Sequence, residues 1–138
     1  MDMQETNRRV IEQFRAGGEI EGMQRERLLL LTTTGAKTAV GRTTPLMFHR
    51  DGDRVVVMAS NTGASKAPDW YANLCADPTV RLEIGNEAYT AAATTADGDE
   101  RDRLWAEITS LYPFFLEHQR KASREIPLVI LTRDPVAT

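Results

Sequence analysis

The chain has 138 residues, 41% of them hydrophobic and 27% charged, with a formal net charge of -3 and a pI ≈ 5.4. Those values fit one globular domain; they exclude a disordered polymer and give no reason for general attraction to nucleic acid. One cysteine, Cys75, excludes an intrachain disulfide framework, and His49 and His118, far apart in sequence, offer no metal-ligand spacing.

Nothing in the sequence activates Cys75, which is expected to be a buried structural thiol. The opening Met1-Asp2-Met3-Gln4-Glu5 is too acidic and polar for a secretory leader. The longest apolar runs, 28–31 and 55–59, fall far short of the ~20 residues of a transmembrane helix. A cytoplasmic protein without an integral membrane segment is expected.

In chain order, a helix is expected from about Met3 to Arg15, with Val10 and Phe14 an i,i+4 apolar pair and Gly17-Gly18 as its stop. Its narrow stripe suits docking on the body of the protein, and an interface or membrane surface is the alternative. Residues 27–34 read as a strand buried on both faces at its start. Residues 42–50 read as a second, with Leu46 and Phe48 on one face and Met47 and His49 on the other. Asp51-Gly52-Asp53 is a hairpin turn into a central strand at 55–59. A loop then leads through Pro68 into a helix with Trp70, Tyr71 and Leu74 on its apolar side, closed by Asp77-Pro78.

Residues 79–84 alternate, with Val80, Leu82 and Ile84 inward, and turn at Gly85-Asn86 into a partner strand at 87–95. Asp97 and Glu100 form a capping-box-like pair for a third helix, whose buried face is Leu104, Ile108 and Leu111. Pro113 breaks it, and a short segment with Phe114, Phe115, Leu116 and His118 follows. Pro127 precedes a last strand at 128–132. The pattern predicts an α+β, barrel-like domain of about six short, mostly antiparallel strands with peripheral helices. It forms a single unit over 1–138, with the N-terminal helix within 1–18 and a frayed tail at 134–138.

Three segments could carry chemistry. The first, Thr32-Thr33-Thr34-Gly35-Ala36-Lys37-Thr38-Ala39-Val40-Gly41-Arg42, offers backbone N–H groups and two cations to phosphate oxygens. It is neither a Walker A loop nor a dinucleotide fingerprint, and its composition equally suits a solvated hairpin. The second, Ala59-Ser60-Asn61-Thr62-Gly63-Ala64-Ser65-Lys66, would let a flat ligand approach the backbone, or is a plain strand-to-helix connection. The third, Tyr112-Pro113-Phe114-Phe115 with His118 and Gln119, is core or the cover of a planar ring.

In order and spacing these segments resemble the deazaflavin (coenzyme F420)-dependent nitroreductases and quinone reductases. The carrying motifs begin with Leu29-Leu30-Leu31-Thr32-Thr33-Thr34-Gly35-x-Lys37-Thr38 and Arg42-Thr43-Thr44-Pro45-Leu46. Ala59-Ser60-Asn61-x-Gly63-Ala64-x-Lys66-x-Pro68-x-Trp70-Tyr71-x-Asn73-Leu74, Tyr112-Pro113 and Arg124-Glu125-Ile126-Pro127 continue them. The resemblance spans about Val10 to Leu131 and implies a split β-barrel related to flavin-mononucleotide-binding oxidoreductases. It implies that Thr34, Lys37, Thr38 and Arg42 hold the cofactor's phosphate and acidic tail. Pro45 and the backbone of Ser60, Asn61, Thr62, Gly63 and Ala64 line the ring, with Trp70 and Asn73 supporting that wall.

The implied activity is hydride transfer from reduced F420 to a quinone-like or nitro acceptor, with Ser60 and Tyr112 as candidate proton donors. Two departures stand out. Ala36 occupies a position that is basic in many relatives, which is expected to weaken cofactor binding by ~1–3 kcal/mol. Phe115 stands where a nitroimidazole-reducing relative has tyrosine, which places quinone reduction ahead of nitroreduction. The alternatives are a non-catalytic cofactor- or pigment-binding split barrel and a reductase that uses FMN. Homodimerisation is the common habit of such barrels, and peripheral membrane contact through the first helix stays open.

Overall fold

The computed structural model describes residues 3–17, 20, 25–35, 41–60, 67–85, 87–122 and 124–133. Seven strands among them form one antiparallel sheet in the order β2-β1-β5-β6-β7-β4-β3. They are β1 (Leu28–Thr34), β2 (Gly41–Met47), β3 (His49–Asp51), β4 (Arg54–Met58), β5 (Thr79–Ile84), β6 (Glu87–Thr95) and β7 (Leu128–Arg133). The two end strands, β2 and β3, are separated in sequence only by Phe48. One bent stretch of chain therefore joins the opposite edges and curls the sheet into an α+β split barrel, in which β2 comes back against β4. The bend explains why seven strands stand where about six were expected. At Phe48 the backbone leaves the ladder and its N–H donates to Arg27 O at 3.3 Å. Phe48 and His49 are consequently both buried, against the alternation expected of one straight strand.

Alternation in the other strands sorts side chains between the barrel interior and its outer faces. Leu29 and Leu31 of β1, Val55 and Val57 of β4, and Val80, Leu82 and Ile84 of β5 share the interior cluster. The intervening Leu28 and Leu30 face helix α1 (Met3–Ala16), which docks through Val10 and Phe14 as the i,i+4 pair requires. Gly17 ends that helix at φ 82°, in the left-handed region that a glycine adopts without Cβ strain. Val56, Met58, Leu128 and Ile130 form a second outer core beneath α3 (Gly98–Leu111) and α4 (Phe114–Ala122). The short α2 (Asp69–Ala76) drops Trp70 and Leu74 into the interior cluster and so plugs one end of the barrel.

Three local expectations are corrected. Asp97 stands at the N-cap of α3 but makes no side-chain capping bond; Gly98 follows at φ 55°, outside helical geometry, and Glu100 pairs instead with Arg54 at 3.1 Å. Leu111 is 61% exposed at the last position of α3, outside the cluster that buries Leu104 and Ile108. Cys75 is exposed, because α2 turns only Trp70 and Leu74 fully inward. The expected frayed tail at 134–138 lies outside the described residues.

The β3–β4 hairpin is clamped electrostatically to α3. Gly52 takes φ 63° in the turn, and Asp51 accepts from Arg103 through both oxygens at 3.1 Å and pairs with Arg54. Those hydrogen bonds, Arg103 first, hold the Asp51 carboxyl down to about 2 from an ordinary 3.8. With the folded value below the unfolded one, the contribution is complete above pH 3.8 and disappears as pH falls through about 2. Asp51→Asn should therefore lower Tm by about 2–5 °C at neutral pH. The gap from wild type should close on acidification in a pH series of thermal melts. A gap that stayed constant down to pH 2 would remove the ion pairs as its cause.

Candidate functional site

Strand registers bring the distant sequence segments to one end of the barrel. Thr34 pairs with Gly41, Thr32 with Arg81, Thr79 with Ala92, Thr95 with Val129, and Leu128 with Met58. The end of β1, the start of β2, the exit of β4 at Ser60 and the whole of α2 thus lie together. A cleft of about 570 Å³ opens there, bounded by α1, the start of β2 and α2. Arg42, Trp70 and Asn73, drawn from two separate motifs, all line it.

Each is held by its element. Arg42 is the second residue of β2, paired to Thr33, and the next rung is locked by a 2.8 Å bond between the Thr32 and Thr43 hydroxyls. Its guanidinium is exposed and has no polar partner among the described residues. Trp70 spans interior core and cleft wall, with its ring edge-on to Tyr71 at 6.4 Å. Asn73 ties α2 to β1 by donating to Thr33 Oγ1 at 3.3 Å. Pro45 is buried deeper on β2, opposite Leu30.

Ser60 is only 8% exposed, and its hydroxyl has no partner among the described residues. Its backbone is held from behind. Arg124 donates to Ser60 O at 3.0 Å and Ala59 O at 3.2 Å, and Ala59 N donates to Pro127 O at 3.0 Å. Gln119 braces that segment by donating to Arg124 O and accepting from Ile126 N at 2.9 Å. Lys37 and Thr38, and Asn61, Thr62, Gly63 and Ala64, lie outside the described residues.

Tyr112 is not brought to this end. Its ring sits 5.6 Å from the Arg27 guanidinium carbon, just before β1 begins, and edge-on to Phe115 at 6.4 Å. Phe115 is core, whereas the neighbouring Phe114 is 42% exposed, so the segment divides between the two readings. Sequence reasoning missed the α1 residues that form one wall of the cleft, Asn7, Arg8, Ile11, Glu12 and Arg15. On a surface helix such a polar stripe reads as an ordinary solvated face.

The cleft suits a planar group with an anionic tail, because an arginine on a rigid strand stands in it beside Trp70 and the amide of Asn73. No group of three His, Cys, Asp or Glu able to hold a metal occurs among the described residues. Nor is any helix among them long and apolar enough to cross a membrane.

Residues 4–133 match the model of the F420H(2)-dependent quinone reductase family. The chain belongs to that family. An F420H(2)-dependent quinone reductase of Mycobacterium tuberculosis is 40% identical over 108 residues, 76% of this chain and 72% of the relative. A solved F420-H2 dependent reductase is 34% identical with a TM-score of 0.71, covering 80% of this chain and 99% of that one. Another solved chain, a domain-swapped dimer, is 33% identical with a TM-score of 0.73, covering 93% and 95%. As a family member the protein is an oxidoreductase dependent on coenzyme F420, which supports the main expectation over FMN or a non-catalytic pigment carrier.

Proposed function

We propose that this F420H2-dependent reductase transfers a hydride to a planar, quinone-like acceptor at the end of the barrel where α2 enters. The observation that carries the placement is the cleft uniting Arg42, Trp70 and Asn73. Its volume of about 570 Å³ falls within the usual range of small-molecule sites. Bound reduced deazaflavin supplies the hydride from its own ring; the chain's residues bind, orient and exclude water. In this reading Thr34, Lys37, Thr38 and Arg42 hold the phosphate and acidic tail. Pro45 and the backbone of Ser60, Asn61, Thr62, Gly63 and Ala64 line the ring, and Trp70 and Asn73 back that wall.

A quinone that accepts a hydride also needs a proton on its oxygen. Ser60 is our candidate donor, because its hydroxyl has no partner among the described residues and the residue lies at the end of the barrel where β4 exits. Tyr112 is the second, on the family pattern alone. Phe115 has no proton to give and is packed in the outer core, which supports quinones ahead of nitro compounds as acceptors.

Mixing the purified protein with reduced F420 and menadione, and following cofactor reoxidation, tests the reading. Acceleration over background is expected; none, despite measurable F420 binding, would overturn it for quinones. Ser60→Ala should bind F420 as wild type does while turnover falls about a hundredfold or more, within the usual range for a lost proton donor. If Tyr112→Phe shows that loss and Ser60→Ala does not, the donor is Tyr112. A cytoplasmic setting and a homodimer complete the proposal, the latter on kinship with the domain-swapped relative; light scattering on the eluting protein reads the oligomeric state.

A further inference from the structure

We infer that α1 is a working wall of this cleft and that its Arg8 binds the anionic tail of the ligand from the side facing Arg42. The inference rests on the cofactor reading above. Helical geometry gives α1 two jobs on two faces. Val10 and Phe14 are buried against Leu28 and Leu30, whereas Arg8, Ile11 and Arg15 line the cleft at i, i+3 and i+7. The docked face thus holds the second face at a fixed position over β2, which α1 also contacts.

The charges in the cleft are not equally available. Arg15 is committed to Glu83 through two hydrogen bonds of 3.0 and 2.8 Å. Arg8 makes only a 3.2 Å pair with Glu12 and a 3.4 Å pair with Glu5, both on its own helix, and its side chain is 65% exposed. Exposed pairs within one helix are weak and screened, so Arg8 can turn to a better anion. Arg42 on the β2 wall has no polar partner among the described residues. A ligand with several negative charges would find Arg8 and Arg42 on different walls of one cleft, which two cations on one loop cannot provide. With Ala36 standing before Lys37, the sequence leaves room for such a second source of positive charge.

The test compares two probes by fluorescence titration: oxidised F420, and the deazaflavin alcohol that lacks the phosphate and tail. Arg8→Ala should weaken F420 binding about fivefold or more, leave the alcohol's affinity unchanged, and lose its effect as salt is raised. Arg8→Lys should restore part of the affinity. Unchanged F420 binding in Arg8→Ala, with binding lost in Arg42→Ala, would overturn the role of α1 and leave the cofactor reading intact. Equal weakening of both probes would also overturn it, since the substitution would then act through the wall's shape. Failure of wild type to bind F420 at all would bring down the cofactor reading itself.

Discussion

Alanine at Arg42 should raise the F420 dissociation constant about tenfold or more, equivalent to at least about 1.4 kcal/mol. The size of the effect follows from how the side chain is held before any ligand arrives. Arg42 stands on the second rung of β2, its backbone registered against Thr33 and the neighbouring rung locked by the Thr32–Thr43 hydroxyl bond. Little backbone order has to be gained on binding, and no internal ion pair has to be broken, because the guanidinium has no polar partner among the described residues. A bidentate contact to phosphate or carboxylate is therefore almost entirely gain. Lys37→Ala should act similarly, and both effects should shrink as salt is raised. Equilibrium titration with F420 checks this; unchanged binding in both variants would reduce the 34–42 loop to a turn.

What sequence reading could see follows from which physical signals are local. The hairpins were visible because Gly52 and Gly85 mark turns that need positive φ, and both adopt it, at 63° and 58°. The alternation of Val80, Leu82 and Ile84 named their face correctly because β5 has one face on the core and one in solvent. Less visible were features set by a neighbour distant in sequence. Phe48 looks like any strand residue, and only the need to join the two edges of a curled sheet makes it a bend. Glu100 fits a capping box by spacing, but Arg54 across the fold takes it. Leu111 continues the apolar period of α3 yet lies beyond the core that the period implies.

The candidate site divides in the same way. Arg42, Trp70 and Asn73 stand in motifs separated by some 30 residues of chain, and their motifs could be recognised without knowing that they meet. That α1 faces them could not be read, since Asn7, Arg8 and Glu12 have the composition of a helix surface in water. Arg124 shows the converse. Its motif was visible, but its work, bonding the carbonyls of Ala59 and Ser60 where β4 exits, joins residues more than 60 positions apart in the chain.

Trp70→Ala should be the most destabilising substitution of a site residue, lowering unfolding free energy by about 3–5 kcal/mol in urea titration. The indole is 6% exposed and belongs to the barrel's interior cluster together with Leu74, so its removal leaves a void at the end of the barrel that short α2 cannot close. Trp70 also lines the cleft, so loss of stability and loss of binding would coincide in the alanine variant. Trp70→Phe separates them. It keeps an aromatic plug, so it should cost only about 1–2 kcal/mol and remain folded. It also withdraws the outer part of the wall, so F420 affinity should fall by about threefold to tenfold while the tail contacts persist. A cost below about 1 kcal/mol for Trp70→Ala would show that the barrel closes without the indole. Full affinity in a folded Trp70→Phe protein would confine the ring's role to the core and leave Asn73 as the α2 contribution to the wall.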